Sequence, residues 1–167
     1  MVKTIEGLNA KGILRIFNAR TKELLYIKQN LVVNTGLAYI VDRMKTVPPD
    51  PINWIEVGTG TTLVDPTDTT LETPLLRKEV VDMDTIENTL TVNTLFENYE
   101  AVDNWKELGM FNAITGGVMF NRINIDFNKT SDDAVIVEFT VIITRTWKWQ
   151  DWYLIKMKEH LFQTWTT

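Results

Sequence analysis

Cysteine is absent from this chain, and its absence removes disulfides, thiol catalysis, iron–sulfur clusters and Cys-ligated zinc. Histidine occurs once, as His160, and serine once, as Ser131 in the turn sequence NKTSDD. A Ser-His-Asp site would depend on that single pair, which argues against hydrolysis of that type and leaves carboxylate chemistry open. No apolar run approaches roughly twenty residues. The N-terminal MVKTIEGLNAKG has none of the apolar core of a secretion signal, so neither a membrane span nor such a signal is expected. Lys and Arg number 17 against 22 Asp and Glu, for a net charge of −5, and the cations are scattered. Nucleic acid is therefore not an expected partner, because phosphate backbones are bound by clustered positive charge.

What is present describes a folded chain. Its 167 residues, 44% hydrophobic and 23% charged, suit one domain with a sizeable core. GILRIFNA (12–19) and ELLYIKQNLVVN (23–34) read as an opening hairpin turned at Arg20–Lys22. Asn34 or Thr35 then caps a predicted helix through TGLAYIVDRMKT, with Leu37, Ile40, Val41 and Met44 on one apolar face, and VPPDP (47–51) stops it. Further strands are predicted at 52–57, 76–84, 89–98, 105–113, 118–127 and through DDAVIVEFTVIITRTW. Leu90, Val92, Thr94 and Phe96 share one face of the 89–98 strand, and Val135, Val137, Phe139, Val141 and Ile143 share one face of the last. Gly116–Gly117 forms a hairpin tip, and the change of apolar face between Phe120 and Ile123 predicts a bulge near Asn121 and Arg122. Many short strands, one helix and hairpin-length links give the expected class: mainly β, an antiparallel sandwich of jelly-roll or Ig-like type, with a short inserted helix and a C-terminal helix.

The C-terminal segment has a different character. The expected division is a sandwich over 1–147 and a Trp-rich helical extension over 148–167. In it Leu154, Met157, Leu161 and Trp165 fall on one helical face, widened by Trp152, Ile155 and Phe162. Four of the six tryptophans, Trp147, Trp149, Trp152 and Trp165, lie in the last 21 residues, and large apolar side chains at a chain-terminal helix suit either packing back on the sheet or anchoring an interface.

Candidate chemistry is sparse. IEVGTGTT lacks the Gly-Lys-Ser/Thr of a phosphate loop and the third glycine of a dinucleotide fold. A structural loop over 58–74 is expected instead, with Gly58 and Gly60 supplying positive φ or close backbone approach. Asp65, Asp68, Asp82 and Asp84 do not follow the spacing of a calcium loop, so no metal and no cofactor is assigned. Among carboxylates, Glu97, Glu100 and Glu107 are weighed as acid–base groups against cross-strand pairing with Arg77 or Arg122. Glu107 and Arg122, both in strands of one hairpin amid apolar neighbours, are expected to pair structurally.

The order of motifs then becomes informative. Asn30, Val32, Val33, Asn34, Gly36 and Leu37 in QNLVVNTGL; Gly58, Thr59 and Gly60; Leu75, Leu76 and Arg77; Glu107, Leu108, Gly109 and Phe111; and finally Arg122 form an ordered set over roughly residues 10–147. This set resembles a group of small structural proteins of tailed bacteriophages. The resemblance implies a non-catalytic β-sandwich of the virion, in the tail, neck or fibre-attachment region or as head decoration. Such a protein binds other virion proteins and its own copies as a ring or trimer, without nucleic acid or membrane as partner. The Trp-rich extension is outside the pattern and is the candidate anchor. Two other expectations compete: a carbohydrate- or host-surface-binding module using Trp54, Trp105 and loop 58–74, and a carboxylate glycosidase using Glu97 or Glu107.

Overall fold

In a computed structural model of the chain, residues 5–148 are described, with side chains over 7–145. Nine strands and one helix follow in the order β1 (Ile5–Asn18), β2 (Leu24–Val32), α1 (Asn34–Asp42), β3 (Trp54–Gly58), β4 (Pro74–Glu79), β5 (Asp82–Ile86), β6 (Thr89–Phe96), β7 (Asp103–Phe111), β8 (Met119–Lys129) and β9 (Val135–Lys148). The chain divides into two compact units, residues 10–142 and residues 1–9 with 143–167. In the second, the described stretches 5–9 and 143–148 are strand. The predicted C-terminal helix, and the side chains of Trp147, Trp149, Trp152, Leu154, Met157, Leu161, Phe162 and Trp165, lie outside the described residues. No helix among the described residues is long and apolar enough to cross a membrane.

A single antiparallel order, β4-β3-β7-β8-β2-β1-β9-β6-β5, runs through all nine strands. Its two ends are β4 and β5, yet only Val80 and Val81 separate them in sequence. A flat sheet of nine strands would hold its edges roughly 38 Å apart, while the chain from Glu79 to Asp82 reaches about 11 Å. The sheet therefore curls, bringing its two edges near each other where Val80 and Val81 cross between them. Val80 N–H still donates to Asn53 O beside β3 at 2.8 Å, and Val81 N–H already donates to Asn93 O of β6 at 2.8 Å. On the far side β2 makes the turn, pairing with β1 from Leu24 to Asn30 and with β8 only at Leu31 and Val32. The expected pair of separate sheets is thus one sheet, curled into a half-barrel.

The curl encloses one core, in which Leu14 and Ile16 of β1 and Val92, Phe96, Val137 and Phe139 of β6 and β9 meet Ile55, Val57, Trp105, Leu108 and Ile123 from β3, β7 and β8. The alternation expected in the 89–98 strand holds at Val92, Thr94 and Phe96, all buried, and that of the last strand holds from Val135 to Val141. The predicted strand 76–84 is instead two strands, broken at Val80–Val81 where the chain crosses from one edge to the other. Of two irregularities in the β7–β8 register, one lies between Trp105 and Glu107 and the other next to the expected bulge: Met110 pairs with Asn121 and Phe111 with Met119, which leaves Phe120 unmatched. That extra residue sends Phe120 into the main core and Met119 to a second, smaller cluster with Val33, Leu71 and Phe111 on the opposite face.

The helix is turned relative to expectation. Its N-cap is Val33 with no side-chain cap, and the Thr35 hydroxyl donates instead to Met119 O at 2.7 Å. Gly36 and Tyr39 face inward, whereas Leu37, Val41 and Met44 are exposed. Gly36 decides this, because a Cβ there would lie 2.0 Å from Phe120 O, so only a glycine face can approach β8. Tyr39 follows, set edge-on to Phe120 with its hydroxyl donating to Asp50 O at 2.8 Å. Gly36→Ala is expected to cost about 1–3 kcal/mol by forcing the helix off β8, read as a lower urea midpoint at unchanged slope.

Candidate functional site

Loop 59–73 leaves β3 at Gly58, returns to β4 at Pro74 and lies over the outward-facing side chains of β7 and β8. β7 supplies Glu107 and β8 supplies Arg122, two ionised groups that are 0% and 2% exposed. Burial removes their water, so each must find donors or acceptors in the protein. The structure brings the two together at 2.8 Å between Arg122 Nη2 and Glu107 Oε2, with Arg122 Nε donating to the same oxygen at 3.0 Å. Three backbone N–H groups of the loop complete the carboxylate: Gly60 (3.1 Å) and Thr73 (2.7 Å) donate to Oε1 and Glu72 (3.0 Å) to Oε2.

Arg122 is satisfied as fully. Its Nη1 donates to Asp68 Oδ2 at 2.7 Å and its Nη2 to Thr62 Oγ1 at 2.9 Å. Burial opposes the arginine's charge, but the bonds to Asp68 and Glu107 outweigh it and raise its pKa, so the guanidinium is permanently charged. Glu72 Oε2 accepts from Thr62 N–H at 2.8 Å, and Asn124 braces the tip by accepting from Val64 N–H at 2.9 Å and donating to Thr62 O at 2.8 Å. The Gly-Thr-Gly stretch is thereby explained. A Cβ on Gly60 would lie 2.3 Å from Glu107 Oε1, and one on Gly58 would lie 2.5 Å from Thr73 O. Close approach is what these glycines supply; positive φ is confined to Gly116 and Gly117 among the described glycines.

A second pair runs beside the first. Arg77 of β4 binds Glu56 of β3 at 2.9 Å, lies 3.6 Å over the Phe111 ring, and donates to Ala113 O and Gly116 O across the β7–β8 turn. Of the other weighed carboxylates, Glu100 pairs with Lys78, and the Glu97 carbonyl accepts from Lys129 at 3.1 Å. Lys129, itself buried, also donates to Asn98 O and Thr130 O, so three carbonyls hold its ammonium. Trp105 is 0% exposed, with Nε1 donating to Ala101 O at 2.7 Å and its ring against Phe96 and Phe127. Trp54 is half-buried against the small cluster, so the two tryptophans do not form an open aromatic site.

Glu56, Thr62, Glu72 and Asn124 were not singled out from sequence. Glu56 carries the signal used for Glu107, a charge inside an otherwise apolar strand, INWIEV. The loop residues carry none, because only the fold brings residues 60 to 73 to residues 107 and 122. Chemically the arrangement closes the Glu107 and Arg122 charges on each other and on the loop, while in the neighbouring pair the buried Arg77 Nε has no hydrogen-bond partner among the described residues. Among the described residues no group of three or more His, Asp or Glu is placed to hold a metal. No protein-family model, no curated protein and no solved structure matches this chain.

Arg122→Met leaves the Glu107 charge buried without its guanidinium and is expected to cost about 3–5 kcal/mol in denaturant unfolding. The pH dependence has a definite sign. Hydrogen bonds from Thr67 hold Asp65 below its usual range, the Thr62 N–H does so for Glu72, and Lys106 does so for Asp126. Depressed carboxylates contribute stability in full above their unfolded values and lose it as pH falls through their folded ones. Melting temperature should therefore hold steady above about pH 5 and fall below about pH 4. A flat profile down to about pH 2 would contradict these assignments.

Proposed function

We propose that the chain is a non-enzymatic structural component of a tailed-phage virion, in the tail, neck or fibre-attachment region or as head decoration, working in many copies through protein–protein contacts. The observation that carries this reading is how the recognised motif positions are used. Gly36 seats the helix on β8, Gly58 and Gly60 admit the loop, Arg77 locks the β7–β8 turn, and Glu107 and Arg122 clamp the loop. Every one of them is spent on holding shape, which suits a scaffold and leaves the weighed carboxylate Glu107 without access to a substrate. The curled sheet is, in this reading, a sandwich of jelly-roll or Ig-like type, with β4-β3-β7-β8 facing β1-β9-β6-β5 across one core.

Other virion proteins and further copies of the chain are the partners proposed, in a ring or trimer, with the virion as location and with neither nucleic acid nor membrane contacted. The exposed Leu37, Val41 and Met44 stripe supports a role in contacts, since apolar side chains at helical spacing are seldom left in water without one. The Trp-rich segment 148–167 is the proposed anchor. An antibody against the chain should label particles purified from a lysate of its host, by immunogold microscopy. Particles free of label would contradict the reading. Removing residues 148–167 should lower the mass found by light scattering, and an unchanged mass would remove the anchor role.

A further inference from the structure

Loop 59–73 is long for a connection with no strand or helix of its own, a length that usually goes with function. Its base is clamped, and its tip is held as firmly. Asn124 donates to Thr62 O at 2.8 Å and accepts from Val64 N–H at 2.9 Å, so the residue between them, Leu63, is fixed on both sides by one side chain. Leu63 is nevertheless 87% exposed. Arg122, whose Nη2 donates to Thr62 Oγ1, stands opposite Leu31 of β2 in the sheet register, and Leu31 is exposed too. From its tip the loop runs to the start of α1, where Pro66 O accepts from Asn34 N–H at 2.8 Å and the exposed Leu37 and Val41 follow. Scattered apolar side chains on a surface need no explanation. A set carried by elements locked to one another, with its most exposed member held rigid, marks a contact surface.

The charges around this tip select the partner. Residues 59–73 contain Asp65, Asp68 and Glu72 and neither Lys nor Arg. Asp68 is neutralised by Arg122, whereas Asp65 accepts from Thr67 and Glu72 from Thr62, uncharged donors that leave both carboxylates ionic. An apolar knob between two carboxylates suits a segment that is itself apolar and basic. Residues 149–167 have that character, with Tyr153, Leu154, Ile155 and Met157 adjoining Lys156 and Lys158. Residues 1–147 carry 14 basic and 20 acidic residues, so two copies of that part repel each other, while residues 148–167 carry three basic and two acidic ones. The segment that follows the end of β9 at Lys148 spans roughly 60 Å when extended, against roughly 30 Å for the width of a small domain. It is long enough to reach a neighbour. We infer that Leu63 and the outer stripe of α1 receive residues 149–167 of a neighbouring copy of this chain, with Lys156 and Lys158 beside Asp65 and Glu72. A contact of tail to loop is heterologous, and its repetition by each copy closes a ring or trimer.

This deepens the anchor role proposed for the C-terminal segment and rests on that role. Removing residues 148–167 tests the anchor, whereas Leu63→Glu tests the receiving site with the segment intact, so the two can fail separately. Leu63 is exposed, so Leu63→Glu should keep the fold, checked by circular dichroism. In light scattering on the full chain, Leu63→Glu should lower the mass by a factor of two or more, and so should the paired change Lys156→Glu with Lys158→Glu. In the cysteine-free background, Leu63→Cys chains mixed with Met157→Cys chains should form a mixed disulfide beyond the like pairs that each forms alone. A monomeric wild-type chain, or an unchanged mass for Leu63→Glu, would overturn the inference. A disulfide formed only within chains that carry both cysteines would overturn it as well, by placing the segment on its own domain. Loss of mass with Leu63→Glu but not with the paired lysine change would overturn the charge pairing as a determinant.

Discussion

A carboxylate taken wholly out of water must find donors enough to replace the water it loses, and Glu107 finds five: three loop N–H groups and two from Arg122. That constraint organises the rest of this side of the molecule. It requires a loop that returns close enough to present residues 60, 72 and 73 together, glycines where a Cβ would strike the carboxylate, and an arginine whose remaining donors reach Asp68 and Thr62. The loop in turn keeps water from the small cluster of Val33, Leu71, Phe111 and Met119. The N–H cradle that a Gly-rich loop can offer to phosphate is present here, and its anion is supplied by the protein's own strand.

The sheet depends on two joints of equal economy. Val80 and Val81 carry the chain between opposite edges, and β2 changes neighbour from β1 to β8 after Asn30. Between them the apolar faces of all the central strands are brought onto one core. The outer faces are then left to other means. One is covered by the clamped loop and the other carries an open groove lined by Phe17, Leu95 and Ile136. A chain whose motif glycines and whose Arg77, Glu107 and Arg122 are committed to its own architecture has its remaining surface for function, which is why the functional proposal is one of assembly.

Much of this was legible in the sequence, for identifiable reasons. Period-two alternation located β6 and β9 and assigned their faces, and the charge of Glu107 and Arg122 amid apolar strand neighbours pointed to their pairing. The break inside 76–84 was not legible, because a chain that hops from one sheet edge to the other keeps the same β-branched composition throughout. The helix face was misassigned because periodicity ranks hydrophobicity. The deciding feature was the smallness of Gly36, with Tyr39 beside it, and this outranked Leu37 and Val41. The loop's share of the clamp was invisible for a different reason: backbone N–H groups have no sequence signature, so residues 72 and 73 read as ordinary loop.

Amide hydrogen exchange at Gly60, Glu72 and Thr73 tests the account most directly, since those three N–H groups hold the buried carboxylate. They sit in a loop without regular secondary structure, where exchange is ordinarily fast. If Glu107 is the internal anion of this cradle, all three exchange only as the fold itself opens, alongside the core strands. Exchange at the rate of an open loop, with the core strands still protected, would contradict it.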